Sequence, residues 1–219
     1  MKKIFTCNRD INKTAYMNWR MNRHDPIYNM ITVAKGYHEA SLLLAKELVN
    51  DNHGKEADII IFPILFNINH AIELYLKAII WSLNIIEDTN RKIEGKHNIK
   101  QIYQNARSRV KIFEANNEGR YEIFLKLTEN LEHYIDELFE KTEKNIVKMN
   151  GKTVTKDNMD FSRYTINNED YYNHFYVDEF DNVVVDLENF IERFTEISTK
   201  LYNIASDYWG KQTILMKYD

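Results

Sequence analysis

From Ile27 to Phe139, and again from Leu187 to Tyr208, apolar side chains recur at steps of three and four residues. That spacing follows the 3.6-residue turn of an α-helix and lays a dry stripe along one face. Such stripes leave water only by lying against one another. The pattern therefore predicts an all-α antiparallel bundle of about five long helices. A chain of 219 residues with only 6 Gly and 2 Pro has few natural breaks, and its length suits one domain with its own core.

Asp25-Pro26 opens the first helix, with Asp as cap and Pro at the first helical position, where its missing N–H costs nothing. Ile27, Ile31, Ala34, Tyr37, Ser41, Ala45 and Leu48 carry its face to about residue 50. The second helix starts near Lys55–Ala57 and runs to about Ile86, with Pro63 marking its true start or kinking it. It is apolar on nearly every side and belongs at the centre. A charged linker, residues 87–96, leads to a third helix from about Asn98 to Ala115. The fourth carries Phe124, Leu127, Leu131, Ile135 and Leu138 and fades near Val147. Short connections among these four predict antiparallel neighbours.

Residues 149–185 change character. Asn150-Gly151 is a turn signal, and Phe161–Ile166, Phe175–Val177 and Val183–Val185 favour strand. A small β or irregular insert is expected there, inside a single domain spanning 1–219. The last helix runs from about Leu187 to Tyr208, started by Asp186 and ended by Gly210.

Lys and Arg number 29 against 33 Asp and Glu, a formal charge of -4. That balance does not advertise nucleic-acid binding by bulk charge, although a local basic patch is compatible with it. The single cysteine, Cys7, excludes an internal disulfide framework and a thiolate metal cluster, and fits a reducing cytoplasm. The charged start MKKIF is followed by no apolar run, so no secretion is expected. The most apolar segment, Ile59–Ile86, contains Asn67, Asn69, His70, Glu73 and Lys77. A membrane span would have to hide all five from lipid. Cytoplasmic localisation without membrane association is the expectation.

Within that segment His70, Glu73 and Lys77 fall on one face of one helix. Glu73 precedes Lys77, the better order for a helical ion pair, and His70 can donate to Glu73. On a half-exposed face such a pair contributes roughly 0.2–0.5 kcal/mol. Buried, each member needs a partner on a neighbouring helix, and the line becomes the wall of a groove. A metal is not expected, because carboxylate-bridged metal bundles repeat Glu-x-x-His on their helices and this helix holds the reversed His70-x-x-Glu73.

The stretch His70-Ala71-Ile72-Glu73-Leu74-Tyr75-Leu76-Lys77-Ala78 resembles the core helix of HEPN-type proteins, the higher eukaryotes and prokaryotes nucleotide-binding superfamily. Many bacterial members follow a His-x-x-Glu-Leu-x-Leu-Lys helix with a Gly-His-x-Leu start to the next one. Gly95-Lys96-His97-Asn98-Ile99 stands in that place, with a lysine between glycine and histidine. Arg163-Tyr164-Thr165 is similar to an Arg-Tyr-Pro segment of some relatives, without the proline. The resemblance implies a helical bundle that often dimerises. It also implies roles in RNA cleavage, toxin–antitoxin pairs, abortive infection and antiviral defence, with a homodimer, a cognate protein or RNA as partner. Ribonuclease members use an arginine and a histidine four to six residues apart, and Arg91 and His97 are the pair here with that gap.

Metal-independent RNA cleavage needs a group to take the 2′-hydroxyl proton and a donor near the leaving 5′-oxygen. Histidine suits either role, and arginine can hold a phosphate through two parallel hydrogen bonds. His97 is accordingly the expected acid/base and Arg91 the phosphate clamp. Lys96, Asn98 at the helix start, and Arg163 are supporting candidates, with His70, Glu73 and Lys77 as a further network. A charged linker, with His97 simply covering a helix start, is the plainer account of the same residues. No cofactor is expected, since no Gly-rich phosphate loop is present.

The insert concentrates Phe161, Tyr164, Tyr171, Tyr172, Phe175, Tyr176 and Phe180 around His174. Rings of this kind pack, anchor a protein partner or stack on bases. The flanking Glu169, Asp170, Asp178, Glu179 and Asp181 repel phosphate and favour the first two. Two other function classes stand beside the nuclease: a non-catalytic helical interaction module, and a nucleotide or small-ligand binder walled by His70, Glu73 and Lys77.

Overall fold

The computed structural model describes residues 3–89, 96–147, 153–157, 159–163 and 183–215. Among them are five long helices: α1 Pro26–Asn50, α2 Ala57–Ile86, α3 Ile99–Phe113, α4 Arg120–Thr142 and α5 Leu187–Leu215. Two short strands, β1 Glu143–Val147 and β2 Thr153–Asp157, pair antiparallel, with Glu143 opposite Asp157 and Val147 opposite Thr153. The expected caps form. Asp25 accepts from the Tyr28 N–H at 2.8 Å and Asn98 from that of Gln101 at 3.0 Å. Asp186 accepts from the N–H groups of Glu188 and Asn189 at 3.0 and 3.1 Å. Each satisfies donors that the first helical turn leaves without a partner.

Helix α2 is the core of the bundle. Ile64, Ile68, Ile72, Leu76, Ile79 and Leu83 are fully buried, and Tyr75 and Ile80 bury the remaining sides. It packs against α1, α3 and α5. By length and composition α2 would also pass for a membrane-crossing helix. Its middle turns are buried against the other helices, while Ile59, Trp81 and Ile85 stay exposed. Pro63 lies on the exposed face and the helix continues through it. A proline there removes one donor but meets no packed neighbour.

The directions of the helices follow from their contacts. Ser41 Oγ donates to the Ile64 carbonyl and Tyr37 packs edge-on to Phe66 and His70, so α1 and α2 are antiparallel. The start of α3 lies beside the middle of α2, where Lys77 Nζ donates to the Lys96 carbonyl at 2.8 Å. Its later turns lie beside the end of α2, where Arg109 Nη2 donates to Asn84 Oδ1 at 2.5 Å and reaches Glu87 Oε2 at 2.8 Å. So α3 runs parallel to α2, which corrects the expectation of antiparallel neighbours. Lys100 lies over the Phe139 ring and Lys111 over that of Tyr121, making α4 antiparallel to α3. Arg193 pairs with Glu137 and Glu196 with Asn130, making α5 antiparallel to α4.

Three boundaries differ from expectation. Helix α4 stops at Thr142, because residues 143–147 find hydrogen-bonding partners in 153–157 across the predicted Asn150-Gly151 turn region. Helix α5 continues past Gly210 to Leu215. Trp209 Nε1 donates to Asp25 Oδ2 at 2.7 Å and Lys211 Nζ reaches Glu114 Oε1 at 3.1 Å, and these contacts outweigh the helix-weakening glycine between them. The described part of Phe161–Ile166 is a 3-10 turn, Met159–Ser162, and Val183–Val185 is irregular. Phe175–Val177 and the aromatic and acidic residues 164–182 lie outside the described residues.

Candidate functional site

Phe66, His70, Glu73 and Lys77 recur at steps of four, three and four, so one face of α2 presents a ring, an imidazole, a carboxylate and an ammonium in succession. Glu73 is buried, its side chain 7% exposed. A buried carboxylate needs charge-assisted partners. Lys77 Nζ donates to Glu73 Oε1 at 2.6 Å, and His70 Nδ1 stands 3.6 Å from Oε2. Burial by itself would raise the Glu73 pKa. The contacts of His70 and Lys77, with the charges of Lys77 and His97, outweigh it and hold the group at about 2.

His97 completes the site from outside α2. It sits two residues before the first turn of α3, and its Nδ1 lies 3.1 Å from Glu73 Oε1 and 3.4 Å from Oε2. An ionised carboxylate only accepts, so this contact places the proton on Nδ1. The ring remains open to solvent, with 64% of its side chain exposed. In the neutral ring Nε2 is then the acceptor. The backbone before it is also fixed. Lys96 adopts a left-handed conformation at φ 47°, and Lys77 holds its carbonyl. A non-glycine residue in that region costs of order 1 kcal/mol and persists where neighbours enforce it.

The other wall is aromatic and basic. The His70 ring is stacked on Phe66 at 5.8 Å between centroids, and Tyr37 meets it edge-on at 4.6 Å. The Arg163 guanidinium lies 5.7 Å from the Phe66 centroid. Asn69 accepts from Tyr134 Oη at 2.6 Å, while its Nδ2 is buried without a partner. Phe66, Asn69, His70, Glu73, His97, Ser162 and Arg163 line a cavity of about 70 Å³. A space of that size takes a few waters or one phosphate group, and is too small for a nucleobase with its sugar.

The structure thus brings His70, Glu73, Lys77, His97 and Arg163 into one place, from three separate stretches of chain. Lys96 contributes through its carbonyl, and Asn98 caps α3 beside the site. Arg91, the expected phosphate clamp, lies outside the described residues. Among the described residues the cation that shares a cavity with His70 and His97 is Arg163. Phe66 was not singled out from the sequence, and Asn69 was named there only as a polar residue of the apolar segment. Phe66 stands four residues before His70 and Asn69 four before Glu73, so the same helical spacing reaches both. Among the described residues no three His, Cys, Asp or Glu side chains converge as a metal site. Neither a family model, nor a curated protein, nor a solved structure matches this chain.

Proposed function

We propose that this chain is a HEPN-like protein of a bacterial defence or toxin–antitoxin system, cytoplasmic, and that the His97 pocket is a site for metal-independent RNA cleavage. The observation that carries the reading is the His97–Glu73 contact: an exposed imidazole whose Nδ1 is held by a buried, ionised carboxylate. A carboxylate in that position selects the tautomer and stabilises the imidazolium that forms when Nε2 takes a proton.

His97 Nε2 would accept the proton of a ribose 2′-hydroxyl. The 2′-oxygen then attacks phosphorus as the P–O5′ bond breaks, leaving a 2′,3′-cyclic phosphate and a 5′-hydroxyl. His70, which lines the same cavity, would return a proton to the 5′-oxygen. Arg163 would hold the phosphate and stabilise charge on its outer oxygens, the role the sequence alone assigns to Arg91. Lys77 is a positioning residue, tying both Glu73 and the Lys96 carbonyl. A homodimer, as the resemblance implies, would bring two such pockets together.

The test is incubation of the purified protein with mixed single-stranded RNA in chelator, with the product ends identified. Cleavage to 2′,3′-cyclic phosphate ends is expected, and His97→Ala should lower the rate by about 10² or more. Failure to cleave, or equal cleavage by the variant, overturns the assignment.

A further inference from the structure

The overall charge of -4 conceals an uneven distribution: residues 1–24 hold six of the 29 Lys and Arg but one of the 33 Asp and Glu. The one carboxylate, Asp10, is paired with Lys13 at 3.8 Å. Lys3, Arg9, Arg20 and Arg23 are exposed, and among the described residues none of the four is ion-paired. Interleaved with them are rings on the surface: Phe5 is 90% exposed and Trp19 76%, and Tyr16 lies 6.0 Å from Trp19 between centroids.

This arm is anchored at its root. The Asn22 N–H donates to Asn29 Oδ1 and Asn29 Nδ2 donates to the Asn22 carbonyl, both at 2.7 Å. The His24 N–H donates to Asn22 Oδ1 at 3.0 Å. Beyond this clasp Trp19, Arg20, Arg23, His24 and Tyr28 line an open depression of about 620 Å³ at the start of α1. Cations spaced between exposed rings on a shallow surface are what a flexible, negatively charged strand with flat bases requires. The cations meet phosphates, and the rings and guanidinium planes stack on bases. We infer that the arm of residues 3–24 binds single-stranded nucleic acid, RNA or DNA, at the depression beside Trp19.

The inference does not depend on the His97 reading, because the two surfaces share no residue. The test is fluorescence anisotropy of a labelled oligouridylate with the full-length protein in chelator, on a His97→Ala background so that the probe stays whole. Binding at 50 mM salt is expected. Three phosphates neutralised on a single strand imply roughly 20-fold weakening between 50 and 200 mM. Trp19→Ala should weaken binding about tenfold, as loss of one stacked base does, and Arg20→Ala with Arg23→Ala should flatten the salt dependence. Trp19 is exposed, so an unchanged circular dichroism melt is expected for its variant. No binding at low salt, or equal binding by both variants, overturns the inference. Equal affinity for polyglutamate overturns it too, and points to an acidic protein partner. Binding without cleavage by the unmodified protein would sink only the nuclease proposal.

Discussion

Glu73 is the residue on which the candidate site depends. It is placed by helical spacing between His70 and Lys77, but its role comes from burial, which makes each partner necessary. Its pKa of about 2 lies below the ordinary 4.5. A carboxylate depressed on folding stabilises the fold fully above its unfolded value and loses that contribution as pH falls from about 4.5 toward 2. Stability should therefore fall over that window, by up to roughly 3 kcal/mol from this group. In Glu73→Gln the slope should flatten, while stability at pH 7 falls by about 1–3 kcal/mol because Lys77 and His97 keep an acceptor but lose its negative charge. Urea unfolding of both proteins from pH 2 to 7 checks this; parallel curves would show that the depressed carboxyl contributes nothing.

At the scale of elements, a buried arginine ties the later turns of α3 to the end of α2. Arg109 is 4% exposed, and its Nη2 is shared among Asn84, Thr89 and Glu87 near the end of α2. Its Nε and Nη1 are buried without acceptors. Removing one partner of such a pair is costly whatever replaces it, and an apolar side chain of similar length restores only the packing. Arg109→Ala is expected to lose about 3 kcal/mol in chemical denaturation and Arg109→Met less, by the packing it restores. Equal losses would mean that the polar contacts, and not packing, carry the interaction. Helix periodicity made α3 visible in sequence, but its direction is decided by contacts between residues about 20 apart or more. The end of α5 was hidden similarly: Gly210 reads locally as a stop, while Trp209 and Lys211 hold the helix open through contacts with Asp25 and Glu114.

For the whole molecule, burial is steeply graded. The middle of helix α2, from Ile68 to Ile80, is mostly buried, and residues 3–24 are almost entirely exposed with few backbone hydrogen bonds of their own. Backbone amides of Ile68–Leu83 should exchange with solvent only through global unfolding, and those of the arm before Asn22 within the fastest class. Hydrogen exchange read by mass spectrometry tests the gradient; protection of the arm equal to that of α2 would contradict it. The same gradient separates the two proposed surfaces, one recessed on the side of α2 and one open at the root of α1.

The number of helices, most of their ends and the central place of α2 were legible in the amino-acid order alone. Apolar period, caps such as Asp25 and Asn98, and an all-round apolar segment are local properties that act through adjacent turns. The line His70, Glu73, Lys77 was legible for the same reason. Its completion by His97 and Arg163 was not, since those side chains arrive from distant stretches of chain and their meeting depends on α3 running beside α2 and on the turn at Met159–Ser162 packing against it. Which neighbours share a low-dielectric space is a property of the packed bundle, and that packing made a buried carboxylate and an exposed imidazole into a pair.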